Sequence, residues 1–442
     1  MRTLAFTELY RNNHIILPKQ DELKIAESIA WRIVPYFPRR GRMAWYRLKT
    51  PVASLTAEGR LLSGVKLKGL GAYNPPVEGR GRDAILDSFA QDPVQPTTLP
   101  LSSFATYPHL GFDVKGELTV SLGATAPVGG IVVERATREY LTAQRLIERG
   151  VSSIEPYLVV HYTELNAFAD QPLGAVVSLT PDAAPYRISE VQTGAALSLG
   201  RDSERDEYYL RILKALEING DPASEVTRLN AVASLAFKVA NAMRQFSAAG
   251  LYRYSAEFPN FDFDFRHAEV VFTDLDSSLF LDGLEPPARA RQILRDAASM
   301  IYHLVAKFSG PTALGAYTIK ALLKSDPIYA ALRGYFHQLN EDDAKRVSQR
   351  LWQLYLPHFY LLNMHRDRII GEWSQERRRS YKMDHHLFFL AVMYFFLRIA
   401  ERAGDREDLI DNSLTSDQFM GMAERFLGQR FEYLEYAVVG VL

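Results

Sequence analysis

The chain contains no cysteine among its 442 residues. That absence removes disulfides, thiolate zinc sites and cysteine nucleophiles together. Excess charge is lacking as well: 51 basic residues stand against 52 acidic ones, a formal net charge of −1. So close a balance sets up no global field for nucleic acid or an anionic membrane, and neither is expected as a partner. Long apolar runs are missing too. The longest, Leu387–Leu397 (LFFLAVMYFFL), is well short of the roughly 20 residues that span a bilayer and reads as a buried helix. The first residues, MRTLAFTELYRNNHIILPKQDE, turn polar too early for a secretory signal. The expectation is a cytoplasmic protein with no membrane span. Common catalytic signatures are absent: no GxxxxGK[ST] phosphate loop, no HExxH and no GxSxG. Gly64, Gly69 and Gly71 form no dinucleotide fingerprint, because no helix follows at the required spacing.

What is present is enough apolar residue for two lobes. Residues 1–60 mix short apolar stretches with a basic cluster, Pro38-Arg39-Arg40-Gly41-Arg42, which reads as a solvated loop or a phosphate contact. Residues 61–70, LLSGVKLKGL, alternate as a strand does, with Val65 and Leu67 on one side and Lys66 and Lys68 on the other. Residues 71–130 hold seven prolines and little periodicity, the pattern of a long insertion. Then Ile131–Val133 reads as a short strand, ATREYLTAQRLIERG as a helix stopped by Gly150, and SIEPYLVVHY as a buried strand. Val176–Leu179 and Tyr186–Val191 suggest two more strands. From about residue 205 the pattern turns helical, with a long apolar-faced helix over Leu229–Ala249, a β-like patch over 251–276, and helices rich in Phe, Tyr and Leu over 286–442. That order implies an α+β chain of two parts: a small lobe over 1–195, with its insertion at about 72–130, and a mostly helical large lobe over 196–442.

Four positions carry the chemistry. Transfer from ATP needs a cation on the phosphates, a metal held by carboxylate and amide oxygens, and positioning. Lys68, on a strand facing a cleft, supplies the cation; Lys66 projects on the same side and is its rival. Gly69 and Gly71 favour Lys68, because glycine lets backbone come close to a ligand. Glu139, on the following helix, is placed to hold the lysine by an ion pair. Asn260, in YRYSAEFPNFDFDF after the long helix, is a metal-ligand candidate; Asp262 and Asp264 alternate with it and read as a polar strand edge or as extra ligands. Asp274, ending the apolar strand of VVFTDLDSS, sets a carboxylate where Mg²⁺ can bind, and Asp276 points the same way in an extended chain. His385 and His386 are neighbours on a helix and diverge, so a metal shared between them is not expected.

GVKLKGLG, TREYLTAQRLIERGV and GLYRYSAEFPN resemble segments of the selenoprotein O pseudokinases. In that family a lysine in an LKG-type segment pairs with a glutamate in a REF-type segment, positions matched here by Lys68 and Glu139. AAGLYRYSAEFPNFDF and VVFTDLDSS look like the catalytic and metal loops of atypical bacterial small-molecule and lipopolysaccharide kinases, and by position Asn260 and Asp274 are the metal ligands. The resemblance spans residues 60–72, 130–160 and 230–305. It implies a two-lobed protein-kinase-like fold, ATP, Mg²⁺ and transfer of AMP to a hydroxyl. The sequence departs from the pattern in its catalytic loop: Ser255 stands where ordinary kinases have an aspartate, and Pro259 where selenoprotein O has one. Glu257 is the nearest carboxylate to serve as base. The reading is thus an ATP-using transferase moving AMP or phosphate onto a protein, peptide or small-molecule acceptor. The alternative is an inactive pseudokinase acting as a scaffold. Under a third reading, a helical interaction protein, the aromatic C-terminal half is a partner groove; otherwise it is the core of the large lobe.

Overall fold

The alternation in LLSGVKLKGL produces a strand with two different faces. In the computed structural model it runs over Leu61–Tyr73 (β3), and the first structural unit is organised around it. The structure describes residues 3–33, 41–56, 59–73, 108–113, 115–122, 131–164, 171–181, 186–191, 203–253, 256–309, 317–364, 373–403, 410 and 413–442. The chain divides into two compact units. The first comprises Met1–His109, Ser121–Pro185 and Val271–Leu279, and the second comprises Leu110–Val120, Tyr186–Val270 and Phe280–Leu442. A linear reading with one boundary near 195 does not show that Val271–Leu279 returns to the first unit. Most of the proline-rich segment lies outside the described residues; its described part includes β4 (Pro108–Phe112) and β5 (Leu118–Leu122).

In the first unit, β1 (Phe6–Arg11), β2 (Gly41–Ala53), β3, β6 (Ile131–Val132), β7 (Glu155–Tyr162) and β8 (Leu173–Thr180) make one antiparallel sheet. Its order is β1-β7-β8-β3-β2, with β6 paired to β8. Val65, Leu67, Leu62 and Leu70 of β3 enter a core with Ile25 and Ile29 of helix α1 (Lys19–Ile29) and with Tyr157 and Val160. Each such side chain contributes about 1.5–3 kcal/mol when fully buried. A second cluster joins Val159 and Val176 of the sheet to Ala136 and Tyr140 of α2 (Val133–Glu148). Helix α1 was hidden in the mixed N-terminal sequence, yet its buried positions, Asp21, Ile25, Ser28 and Ile29, follow helical spacing.

The second unit is mostly helical. It contains α3 (Ser203–Ala215), α4 (Glu225–Ala248), α5 (Pro286–Ser309), α6 (Ile319–Ser325), α7 (Pro327–Tyr335), α8 (Glu341–Met364), α9 (Gln375–Ala403), α10 (Ser416–Leu427) and α11 (Phe431–Val438). Ser224 caps α4 by accepting from the Thr227 N–H at 3.1 Å. Helix α7 lies directly on α4: a Cβ on Gly334 would sit 2.2 Å from the Phe237 carbonyl oxygen, so only glycine permits that approach. The short strands β9 (Leu251–Tyr252) and β10 (Phe261–Asp264) interrupt the helices, and β11 (Glu269–Phe272) carries the chain back into the first unit. Tyr186–Val191 was expected as a strand, and the structure corrects this: Ile188–Val191 is a 3₁₀ turn. Its two apolar residues lie three apart, a spacing that a three-residue turn buries on one side and a strand cannot.

The apolar run Leu387–Leu397 sits inside α9, a 29-residue helix. By length and composition α9 is one helix long and apolar enough to cross a membrane. Its apolar stretch is mostly buried within the protein, the pattern of a core helix.

Candidate functional site

Lys68 is the centre of a buried charge cluster in the first unit. Its ammonium donates to Glu139 Oε2 at 2.6 Å and to Asp274 Oδ1, and lies 3.4 Å from Asp276 Oδ1. Three segments converge to make this arrangement. Strand β3 carries Lys68 on the face opposite Val65 and Leu67. Helix α2 brings Glu139, on the same buried stripe as Ala136, Tyr140 and Ala143. The segment after β11 brings Asp274 and Asp276, and the end of β11 is held to the residues just before β7 by two backbone bonds: Ile154 N–H to the Phe272 carbonyl at 2.9 Å, and Phe272 N–H to the Ser152 carbonyl at 3.0 Å.

Gly69 has a task within its own sheet. Its φ is +100°, and a Cβ there would lie 2.2 Å from Ile131 Cγ2 and 2.7 Å from the Gly174 carbonyl oxygen. The β2–β3 register slips between Met43↔Lys68 and Gly41↔Tyr73, so Gly69 begins an irregular stretch of β3. The glycine is required by its own sheet, and the irregularity falls immediately after the lysine. Gly71 follows on the same strand. Lys66 is also buried and sits opposite Trp45 and Ser178 in the ladder.

Three carboxylates converge here on the Lys68 ammonium. Glu139, Asp274 and Asp276 each bring an oxygen within 4.8 Å of the others. Burial pushes the Glu139 carboxyl up from its usual range, and the Asp276 and Asp274 charges add to that. The Lys68 ammonium pulls the other way without cancelling it. Such a set is unfavourable by itself and suits a hard divalent cation, which prefers carboxylate oxygen. The Lys68 ammonium already stands in for one. The donor set therefore fits Mg²⁺ or a similar ion, with Asp274 and Asp276 as its oxygens and the Glu139 carboxylate beside them on Lys68. Asp274 holds its position in the left-handed region at φ +56°, a conformation that costs about 1–3 kcal/mol for a non-glycine residue and tends to persist at functional positions.

Asn260 and Glu257 belong to the second unit. They close one 3₁₀ turn, with the Asn260 N–H donating to the Glu257 carbonyl at 2.9 Å and Pro259 between them. The Glu257 carboxylate lies 3.5 Å from His303 Nε2, and both side chains are partly exposed. Ser255 lies outside the described residues. Asp262 and Asp264, read as polar edge or extra ligands, are engaged elsewhere. Asp262 is fully buried and ion-paired with Arg187. Asp264 accepts from the Arg266 N–H at 3.0 Å and meets His267 Nδ1 at 2.8 Å, closing a turn.

Sequence reasoning missed Asp296. From the buried face of α5 its carboxylate accepts from the Arg253 backbone N–H, which fixes the chain seven residues before Asn260. The Arg253 guanidinium donates to the Asn260 carbonyl at 3.2 Å and lies over the Phe261 ring, 5.1 Å from its centroid. The signal was a single aspartate on the apolar side of a long helix, in ILRDAASMIYHL.

No family model matches the chain, and no curated protein matches it. Among solved structures, similar chains include WaaP in complex with acyl carrier protein, at 12 % identity over 60 % of this chain and 89 % of that one, with a TM-score of 0.28. Amicoumacin kinase hAmiN, in complex with AMP-PNP, Ca²⁺ and Ami, is similar at 12 % identity over 84 % of this chain and 93 % of its own, with a TM-score of 0.27. ROP2 from Toxoplasma gondii, a virulence factor with a protein-kinase fold and no enzymatic activity, gives 10 % identity, 84 % and 93 % coverage, and a TM-score of 0.27. Likeness this slight leaves the functional reading to the residues of the chain itself.

Proposed function

We propose that the chain is a kinase-like, metal-dependent transferase that uses ATP and moves AMP or phosphate to a hydroxyl. One observation carries the reading: a buried lysine on a sheet, held by a helix glutamate, next to two aspartates whose oxygens gather with the glutamate's as a metal-ligating set. Lys68 would neutralise phosphate oxygens, with Glu139 orienting it. Asp274 and Asp276 would hold Mg²⁺, which when bound supplies charge stabilisation to the phosphates. In the second unit, Asn260 remains a candidate metal ligand and Glu257 a candidate base. In AMP transfer the acceptor oxygen bonds to the α-phosphorus and the bond to pyrophosphate breaks. In phosphate transfer it bonds to the γ-phosphorus and ADP leaves. The resemblance of the Lys68 and Glu139 segments to selenoprotein O favours AMP.

A second reading rests on Ser255 and Pro259. With no aspartate at either position, the same charge cluster serves a nucleotide-binding scaffold without turnover. Incubating the purified protein with Mg²⁺ and ATP labelled at the α- or the γ-phosphate separates the two. An α-label retained on the protein and lost in Asp274→Ala supports AMP transfer, and a γ-label alone supports a kinase. Nucleotide binding with neither label supports the scaffold, and no binding at all sinks both.

A further inference from the structure

The ammonium of Lys68 stands where a metal would. It contacts Glu139 at 2.6 Å, bonds Asp274, and lies 3.4 Å from Asp276, so one cation touches every oxygen donor of the cluster. A divalent ion on those oxygens would come within a few ångström of the ammonium, where like charges in a poorly solvated site repel strongly. We infer that Lys68 is a built-in counter-ion which competes with the metal, so that a divalent cation enters only as the ammonium moves off the aspartates. This rests on the metal-site reading above and adds an order to it.

The three acids are not equivalent. The side chains of Glu139 and Asp276 are 6 % and 5 % exposed, whereas that of Asp274 is 40 % exposed. Glu139 is fixed on α2, and its bond to Lys68 can survive a small shift of the ammonium. The Asp274 bond is the one facing solvent, where an arriving ligand can exchange it. A phosphate chain offers Lys68 new acceptor oxygens at that face. The exchange takes the Lys68 ammonium off Asp274 and Asp276 just as a metal–nucleotide complex supplies a second cation. Until then the lysine keeps the three carboxylates tolerable together, and Mg²⁺ alone is held back.

The test is a titration with Mn²⁺ alone, followed by electron paramagnetic resonance, on wild type, Lys68→Gln and Lys68→Met, with circular dichroism confirming the fold of each. The neutral variants are expected to bind Mn²⁺ at least tenfold more tightly than wild type. Equal or weaker binding overturns the inference. A second measurement needs no substitution: acetylation of Lys68 in the wild-type protein, read by mass spectrometry with and without saturating Mn²⁺. Displacement predicts several-fold faster labelling with the metal, and unchanged or slower labelling overturns it. Mn²⁺ bound equally by all three proteins removes the competition but leaves the metal site standing. Mn²⁺ bound by none at millimolar concentration removes the site as well.

Discussion

The two units differ at their aspartate-rich segments. In the second, Asp262 has the Arg187 guanidinium, Asp264 has His267 and two backbone donors, and Asp296 accepts from the Arg253 N–H. Each carboxylate has a local donor, and each contact fixes a turn or strand near Asn260. In the first unit, three carboxylates converge on one ammonium. A paired charge supports a fold, and an unbalanced cluster is tolerated where a ligand completes it. The difference separates scaffold acids from candidate ligand acids better than acidity or spacing does, since Asp262 and Asp274 look alike in the sequence.

That contrast can be broken first at Asp274. On the proposed transferase reading, Asp274→Ala is expected to reduce metal-dependent turnover of ATP roughly a thousandfold, or about 4 kcal/mol in transition-state terms, while far-ultraviolet circular dichroism stays unchanged. Turnover within threefold of wild type would assign Asp274 to structure. The counterpart in the second unit is Arg187→Met, which removes the guanidinium paired with the buried Asp262 carboxylate. Unfolding in urea should show a loss of about 3–5 kcal/mol, most of it restored in Arg187→Met/Asp262→Leu. A single variant as stable as wild type would mean that Asp262 is no scaffold acid.

Between these extremes lies a group that the second unit keeps neutral by burial. His358 of α8 is almost wholly buried, its ring stacked on Tyr381 at 4.5 Å and its Nε2 3.5 Å from the Tyr302 hydroxyl. Burial drives its pKa down to about 4. Because the folded value is depressed, its contribution is fully present above the ordinary value of about 6.5 and is lost as pH falls from there toward 4. That loss should reach about 3 kcal/mol in urea titrations taken across this range. His358→Phe should flatten the slope. An unchanged pH profile would place the proton elsewhere.

How far the site was legible depended on how local its parts are. Strand β3 and helix α2 are written in alternation and helical spacing, so Lys68 and Glu139 stood out with the elements that carry them. Asp274 was marked by the apolar strand before it. Contacts across long separations left no such trace. Arg187 and Asp262 are 75 residues apart, and Arg253 and Asp296 are 43 apart; no periodicity joins either pair. The role of Gly69 was hidden for the same reason, since the atoms that forbid a side chain belong to Ile131 and Gly174. The N-terminal β1 and α1 were missed because a short mixed run shows its spacing only once the sheet it covers is known.

The smallest expected effect sharpens the comparison most. Asp276 is buried within 3.4 Å of Lys68, beside two other carboxylates. Replacing it with asparagine keeps the shape and removes one of the three negative charges around Lys68. In a scaffold of paired charges, as around Asp262, losing a carboxylate weakens the fold. At an unbalanced site the same change relieves repulsion, so Asp276→Asn should raise the metal-free stability slightly, by about 1 kcal/mol, and lessen the stabilisation that Mg²⁺ with nucleotide confers. Thermal unfolding with and without both ligands reads the two effects together. A lower metal-free melting temperature with undiminished ligand stabilisation would put Asp276 among the scaffold acids, and the first unit would then handle its buried charge as the second does.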